Sequence, residues 1–422
     1  MKKTLIAVAA AAALTATSAF AEITFGAWLR VLASPVASTG EDIIAGVQNS
    51  WGWGARTARI NINGTSEDGK AGFVMGVYND FESGLGQGDD AYLWVKPVDT
   101  VKVSVGKFDS PTNGLRGDFT YGSWNWLRPG NWVYDGEGLT FDGIWRSGLM
   151  VEADPMDGLH AFAVIPMSAS YKSAEEVYRN IQVGFGYAIE GVGKLKAQFI
   201  GDYSYTQKDD KLGDWYINDE GKVVRHDTTY KAAGKKDEDK TTGQIGVAFD
   251  LTAVENLYVT VGARFGIADK DYKKDYLKMA FTAGASYQVS ETMKFSVDGG
   301  YKQYQDKVLA GNDDSLFSVG AGVDFTVMDG LAAVADVRYI SNNYGKKHDD
   351  GAISFLVGVN KSVSSNGSLG IGFQGATNGC GLVTAGGDSN GLVAGYNPLS
   401  GTVTGDGDEF VWAIPVSVSV WF

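Results

Sequence analysis

The feature that most constrains this chain is a two-residue period that returns repeatedly from about Leu149 to the C-terminus. Phe317, Val319, Ala321, Val323 and Phe325 alternate with Ser318, Gly320, Gly322 and Asp324. Leu257, Val259, Val261, Ala263 and Phe265 alternate with Thr260, Gly262, Arg264 and Gly266, and the same division runs through 181–189, 277–289 and 295–301. Successive side chains of a strand point to opposite faces, so each segment has one apolar and one polar face. Beyond the N-terminus no window approaches the roughly 18 consecutive apolar residues that a membrane-spanning helix requires, which excludes a helical membrane protein. Strands of a soluble sandwich alternate too. Mean hydropathy does not separate the two, because a barrel averages an apolar outer face with a polar lumen.

Strand ends and connections favour the barrel. Tyr287, Tyr301, Phe317, Phe325 and Tyr339 fall on the apolar parity near strand ends, where a membrane barrel carries its two aromatic girdles. Arg264, Asp298, Lys302, Asp324, Asp336 and Arg338 fall on the polar parity, which in a barrel is the lumen. Tight turns at 97–100, 289–293, 328–330 and 364–367, most of them rich in Gly, Asn, Asp or Pro, alternate with long charged connections at 207–242 and 377–408. Short connections on one rim and long ones on the other are how such barrels are built. The expected fold is therefore all-β, a transmembrane antiparallel up-and-down β-barrel. It has about 18 strands, or 16 if the weak segments around Leu139 and Leu159 are merged.

The first residues read Met1-Lys2-Lys3, then an almost wholly small and apolar run from Thr4 to Leu14, then Ala19-Phe20-Ala21. A charged start, an apolar stretch and an A-x-A site form a cleaved signal peptide over residues 1–21. Residues 22–422 show no linker or composition shift and form a single domain. The formal charge is −14, and it grows two units more negative when Lys2 and Lys3 leave with the peptide. That balance argues against nucleic acid as a partner and mildly favours attraction of cations. Cys380 is the only cysteine, so no internal disulfide framework is available.

The last segment, Phe410 to Phe422, is apolar at every even position and stops on an aromatic ring. Together with the signal peptide and the strand pattern it resembles bacterial outer-membrane porins, of the general diffusion or sugar-selective type. In those proteins a final strand ending in Phe is the recognition signal for the barrel assembly machinery, a role the resemblance gives to Phe422. Pro415 departs from the pattern: it removes a ladder donor and predicts a local bulge.

The resemblance also implies an inward-folded third loop after the fifth strand, which here is Val101 to Phe108, followed by a long segment from Asp109 to Glu137. It implies a constriction in which loop residues Asp109, Arg116, Asp118, Asp135 and Glu137 face wall residues Arg30, Arg59, Lys96 and Lys102. The alternative is that these are solvated lumen charges with no special field. Trp124, Trp126 and Trp132 suggest stacking on sugar rings, as in sugar-selective porins, with Trp145 in their surroundings and Trp51 and Trp53 at the top of the second strand; the alternative is that they pack the loop against the wall or sit in a girdle.

Three other signals lead elsewhere or nowhere. Gly370-Ile371-Gly372-Phe373-Gln374-Gly375 matches G-x-G-x-x-G but lies inside an alternating strand, with no helix after it to hold a pyrophosphate. A Ser/His/acid enzyme would have to use His160, since His226 and His348 fall in loops, and no serine is singled out beside it. Acidic clusters at 237–239, 312–314 and 406–409 fit no calcium-loop spacing. The expectation is a non-enzymatic porin without cofactor or metal, passing small hydrophilic solutes and ions by diffusion. Its partners would be outer-membrane lipid and the barrel assembly machinery, and the resemblance suggests a homotrimer in the outer membrane. A carbohydrate-selective porin and a plugged structural or adhesive barrel are the alternatives.

Overall fold

In a computed structural model of the chain the described residues are 22–38, 40–46, 58–79, 85–108, 146–168, 171, 174–206, 215–217, 223–225, 238–268, 277–306, 313–341, 351–378 and 410–422. The strands in chain order are β1 (Glu22–Ser38), β2 (Ile43–Gly46), β3 (Ala58–Thr65), β4 (Ala71–Asn79), β5 (Leu85–Val98), β6 (Val101–Phe108), β7 (Arg146–Met156), β8 (Leu159–Pro166) and β9 (Gln182–Ile189). They continue with β10 (Gly193–Thr206), β11 (Trp215–Ile217), β12 (Val223–Arg225), β13 (Glu238–Leu251), β14 (Leu257–Ala268), β15 (Leu277–Ser290), β16 (Met293–Tyr304) and β17 (Ser315–Met328). The last are β18 (Leu331–Ile340), β19 (Ala352–Ser364), β20 (Gly367–Ala376), β21 (Val411–Ala413) and β22 (Val416–Trp421). A one-turn helix, α1 (Ala174–Tyr178), lies between β8 and β9.

Each wall strand pairs antiparallel with its neighbours in the chain, and β1 pairs with β22, so the sheet closes on itself. β2 lies along the same edge of β1 as β3, and β21 with β22 are two pieces of the last strand. The wall therefore has 18 positions, the larger of the two expected numbers. The segment at Leu159 is the strand β8 in its own right, and Leu139 lies outside the described residues. Closure matters because an open edge would leave backbone N–H and C=O groups unpaired where no water can reach them.

The apolar parity faces outward. Val261, Phe281, Val297, Val319, Val337, Val357 and Ile371 are large apolar residues left exposed on this face. Aromatic rings gather at both ends of the band. Toward the long connections Phe265 meets Phe281 at 5.8 Å, Phe317 meets Tyr339 at 5.7 Å, and Phe355 and Trp412 both lie against Phe373 at 5.9 Å. Toward the turns Phe25, Tyr287, Phe295, Phe325 and Phe422 are exposed. An apolar belt between two aromatic rings matches a bilayer and its two interfaces.

The turns sort as expected. The connections at 66–70, 99–100, 157–158, 190–192, 252–256, 291–292, 329–330 and 365–366 are short, and both ends of the wall, Glu22 and Phe422, lie on their rim. Gly158 and Gly330 occupy two of these turns with φ of 78 and 69, a backbone that L residues rarely adopt. The connection expected at 207–242 is shorter on its far side, since β13 begins at Glu238, and it contains the β11–β12 hairpin.

The expected irregularity at Pro415 is present, but the extra residue sits on the partner strand. Ala37 pairs with Ala413 and Ala33 with Val416, so β1 spends one more residue than the last strand over that span, beside Pro35. Proline on both strands at the same level removes two donors, and the ladder resumes through the amide of Ile414 donating to the carbonyl of Val36. At the other end the amides of Ala27 and Phe422 each donate to the other's carbonyl, at 3.0 and 2.8 Å.

Candidate channel lining

The inner wall is the second parity of every strand, and an 18-strand barrel is wide enough to leave an aqueous channel between its walls. Among the described residues its charges include Arg59, Asp90, Lys96, Lys102, Glu152, Asp154, His160, Lys194, Lys196, Asp250, Arg264, Asp298, Lys302, Asp324 and Asp336. Several are paired between strands, because neighbouring inward residues sit about 5 Å apart across a ladder.

On β3, Arg59 reaches past β4. Its guanidinium donates to Asn61, to the hydroxyl of Tyr78 at 2.9 Å and to the Asp90 carboxylate of β5 at 3.0 Å, and it lies over the Tyr78 ring. Arg59 is thus held by the wall itself. Lys96 and Lys102 share the short-turn end of β5 and β6, where Val95 pairs with Val103. Lys96 lies 5.9 Å from the ring centre of Trp94, and Lys102 pairs with Glu152 of β7 at 2.7 Å. Arg59 is level with Gly86 at the opposite end of β5, so the structure groups Lys96 with Lys102 and separates both from Arg59.

A charged group continues from Lys102 across β7 and β8. His160 Nδ1 lies 2.9 Å from Asp154 and its Nε2 lies 4.0 Å from Glu152. These side chains are exposed to different degrees, 28% for Lys102, 13% for Glu152, 25% for His160 and 68% for Asp154, and the Glu152 Oε2 that meets Lys102 is itself buried. Farther up the same strands the inner face is apolar. Phe108, Met150, Phe162 and Val164 form a buried cluster with Tyr92 against it, the Tyr92 and Phe108 rings 5.3 Å apart. Gly106, at φ 145, permits this, since a Cβ there would meet Tyr92 and the carbonyl of Ala91. The alternation pattern predicts polar residues on this parity, so an apolar inner patch is a departure from it. The patch lies at the root of the 109–145 connection, between the last residue of β6 and the first of β7.

On the far side of the wall several charges are closed off. Lys196 of β10 lies 2.5 Å from Asp250 of β13, with exposures of 1% and 3%, and Thr260 of β14 donates to the same carboxylate at 2.8 Å. Arg264, Asp298 and Lys302 are likewise buried. Lys302 lies over the ring of Tyr304 at 5.0 Å, and Lys294 approaches Asp324 to 3.8 Å.

Of the residues singled out in the sequence, Asp109, Arg116, Asp118, Asp135, Glu137, Trp124, Trp126 and Trp132 lie outside the described residues, as do Trp51, Trp53 and Trp145. Arg30 lies on β1, two residues after Trp28 on the same parity, and its side chain is outside the description. Phe422 is on the outward parity and exposed. The alternation pattern does not mark Asp90 and Asp250 as pairing partners. Asp90 lies within a bulge, between Gln87 and Ala91, which pair with Val77 and Met75, so alternation alone assigns it no face.

No protein-family model matches the chain, and no curated protein sequence matches it. Solved structures do. An anion-selective porin from Comamonas acidovorans is 15% identical, with 95% of this chain and 99% of that one covered and a TM-score of 0.47. The outer-membrane protein OmpT of Vibrio cholerae, in its trimer form, is 12% identical over 95% and 99% of the two chains, with a TM-score of 0.43. Likeness at that level says nothing of what this chain passes or binds, and the barrel rests on its own strand pairing.

Proposed function

We propose that the protein is an outer-membrane porin: a water-filled channel through which small hydrophilic solutes and ions diffuse without chemistry or cofactor. The observation that carries this reading is the division of one closed wall into an apolar outer belt bounded by aromatic rings and an inner face set with charges. An outer face of that kind suits lipid, and a charged inner face suits water and ions.

Several parts of the reading go with it. Residues 1–21 direct export and are removed. Phe422, exposed beside the β1–β22 seam, serves as the assembly signal. The 109–145 connection turns inward over Phe108, Met150, Phe162 and Val164, an arrangement supported by the apolar patch at its root. Its acidic residues then narrow the passage opposite Arg59 and the other wall cations. Three barrels associate in the membrane. Proteoliposomes test the main claim. Neutral solutes of graded size should enter at rates that fall steeply with mass, with sugars and amino acids of equal mass entering alike. Vesicles that stay impermeable to all of them would contradict it.

A further inference from the structure

Among the described residues, several inner-wall acids meet a lysine or an arginine: Asp90 meets Arg59, Glu152 meets Lys102, Asp250 meets Lys196 and, at longer range, Asp324 meets Lys294. Asp154 differs. It is the most exposed of these carboxylates, and the group against it is the imidazole of His160. Histidine is the side chain whose charge ordinarily changes between about pH 5 and 8. Resting on the channel reading above, we infer that His160 is a specificity-determining residue, one that sets the ion preference of the short-turn mouth according to pH.

The surroundings define the sign. From β7, Glu152 and Asp154 face the imidazole. From β6, Lys102 faces Glu152 and closes its charge at 2.7 Å. On the other flank β9 offers Gly186 opposite His160, with Ala188 next on that parity, neither of them charged. Beyond it Lys194 of β10 pairs with Ala188 in register, and Asp157 lies in the turn that precedes β8. With neutral imidazole, Lys96, Lys102 and Lys194 stand against Glu152, Asp154 and Asp157 at this mouth. A proton on His160 adds one positive charge beside the exposed Asp154 without moving any backbone. The mouth is therefore more favourable to cations with a neutral imidazole than with a charged one.

Reversal potentials of the full-length protein in a planar bilayer, under a KCl gradient at low ionic strength, test this. Between about pH 8 and pH 6 the preference for potassium over chloride should fall roughly twofold, as expected for one charge near a wide aqueous pore. His160→Gln keeps a group able to donate to Asp154 and should abolish the pH response. His160→Lys should hold the low-pH preference at both values. A wild-type preference that is flat with pH, or a response that survives in both variants, would overturn the assignment while leaving the channel standing. Absence of any channel in the wild type would overturn the channel reading and this inference with it.

Discussion

Lys196 and Asp250 on β10 and β13, and Lys102 and Glu152 on β6 and β7, are two ion pairs on the same inner wall with opposite surroundings. The first is shut away at 1% and 3% exposure with Thr260 completing it, whereas the second is partly exposed, at 28% and 13%, beside His160 and Asp154. A buried charge costs several kcal/mol to desolvate and is tolerable only while its partner is in place. A pair in water is worth little to the fold, yet it still acts on passing ions. Burial thus separates charges that hold the wall from charges that an ion can feel.

The comparison breaks most visibly at Asp250. Asp250→Ala removes the carboxylate that Lys196 meets and should destabilise the barrel by about 3–5 kcal/mol, read from urea unfolding of the folded protein in lipid vesicles. Replacing both, Lys196→Met with Asp250→Leu, should recover most of that loss, because well-packed apolar residues replace a buried pair at little cost. A smaller loss is expected on the outer face. Ala321→Arg places a charge midway along β17 on the exposed parity, and should cost about 2–4 kcal/mol in lipid if that face meets hydrocarbon.

The open pair should behave in the reverse manner. Glu152→Gln should destabilise the barrel less than Asp250→Ala does, while lowering the potassium-over-chloride preference by roughly twofold in the same bilayer measurement. An Asp250 variant as stable as the Glu152 variant would erase the distinction. The smallest effect is at the rim. Asp68, in the first short turn, accepts from the Ser66 hydroxyl and the Lys70 amide, and these bonds hold its carboxyl below the usual range. Because the folded value is depressed, the stabilisation is present above the ordinary carboxylate range and is lost as pH falls through the lowered value. The Lys70 amide resonance should follow that titration, with a midpoint below the usual ~3.9, and should lose it in Asp68→Asn.

The same contrast between regions marks what the sequence reveals. On β14 to β19 the alternation is nearly unbroken, and Phe317, Phe325, Tyr287 and Tyr339 announce the girdles before any pairing is known. On β1 to β5 it fails for local reasons: a bulge beside Pro35, another just before Ala91, and apolar residues such as Trp28, Tyr78 and Tyr92 on the inner face. The lumen charges were legible as a parity. Their partners were not, because Lys196 meets Asp250 diagonally across a ladder and Arg59 meets Asp90 over an intervening strand, relations that register alone creates. His160 could be placed on the inward parity, but its two carboxylates on β7 emerge only when the 157–158 turn folds β8 back along β7.

Single-channel recording on the purified protein tests the central claim most directly, that the charged inner face lines an open, water-filled passage. The account predicts stable, long-lived openings whose conductance rises with salt concentration. A barrel that inserts into the bilayer with its full β-sheet content and passes no current would contradict it.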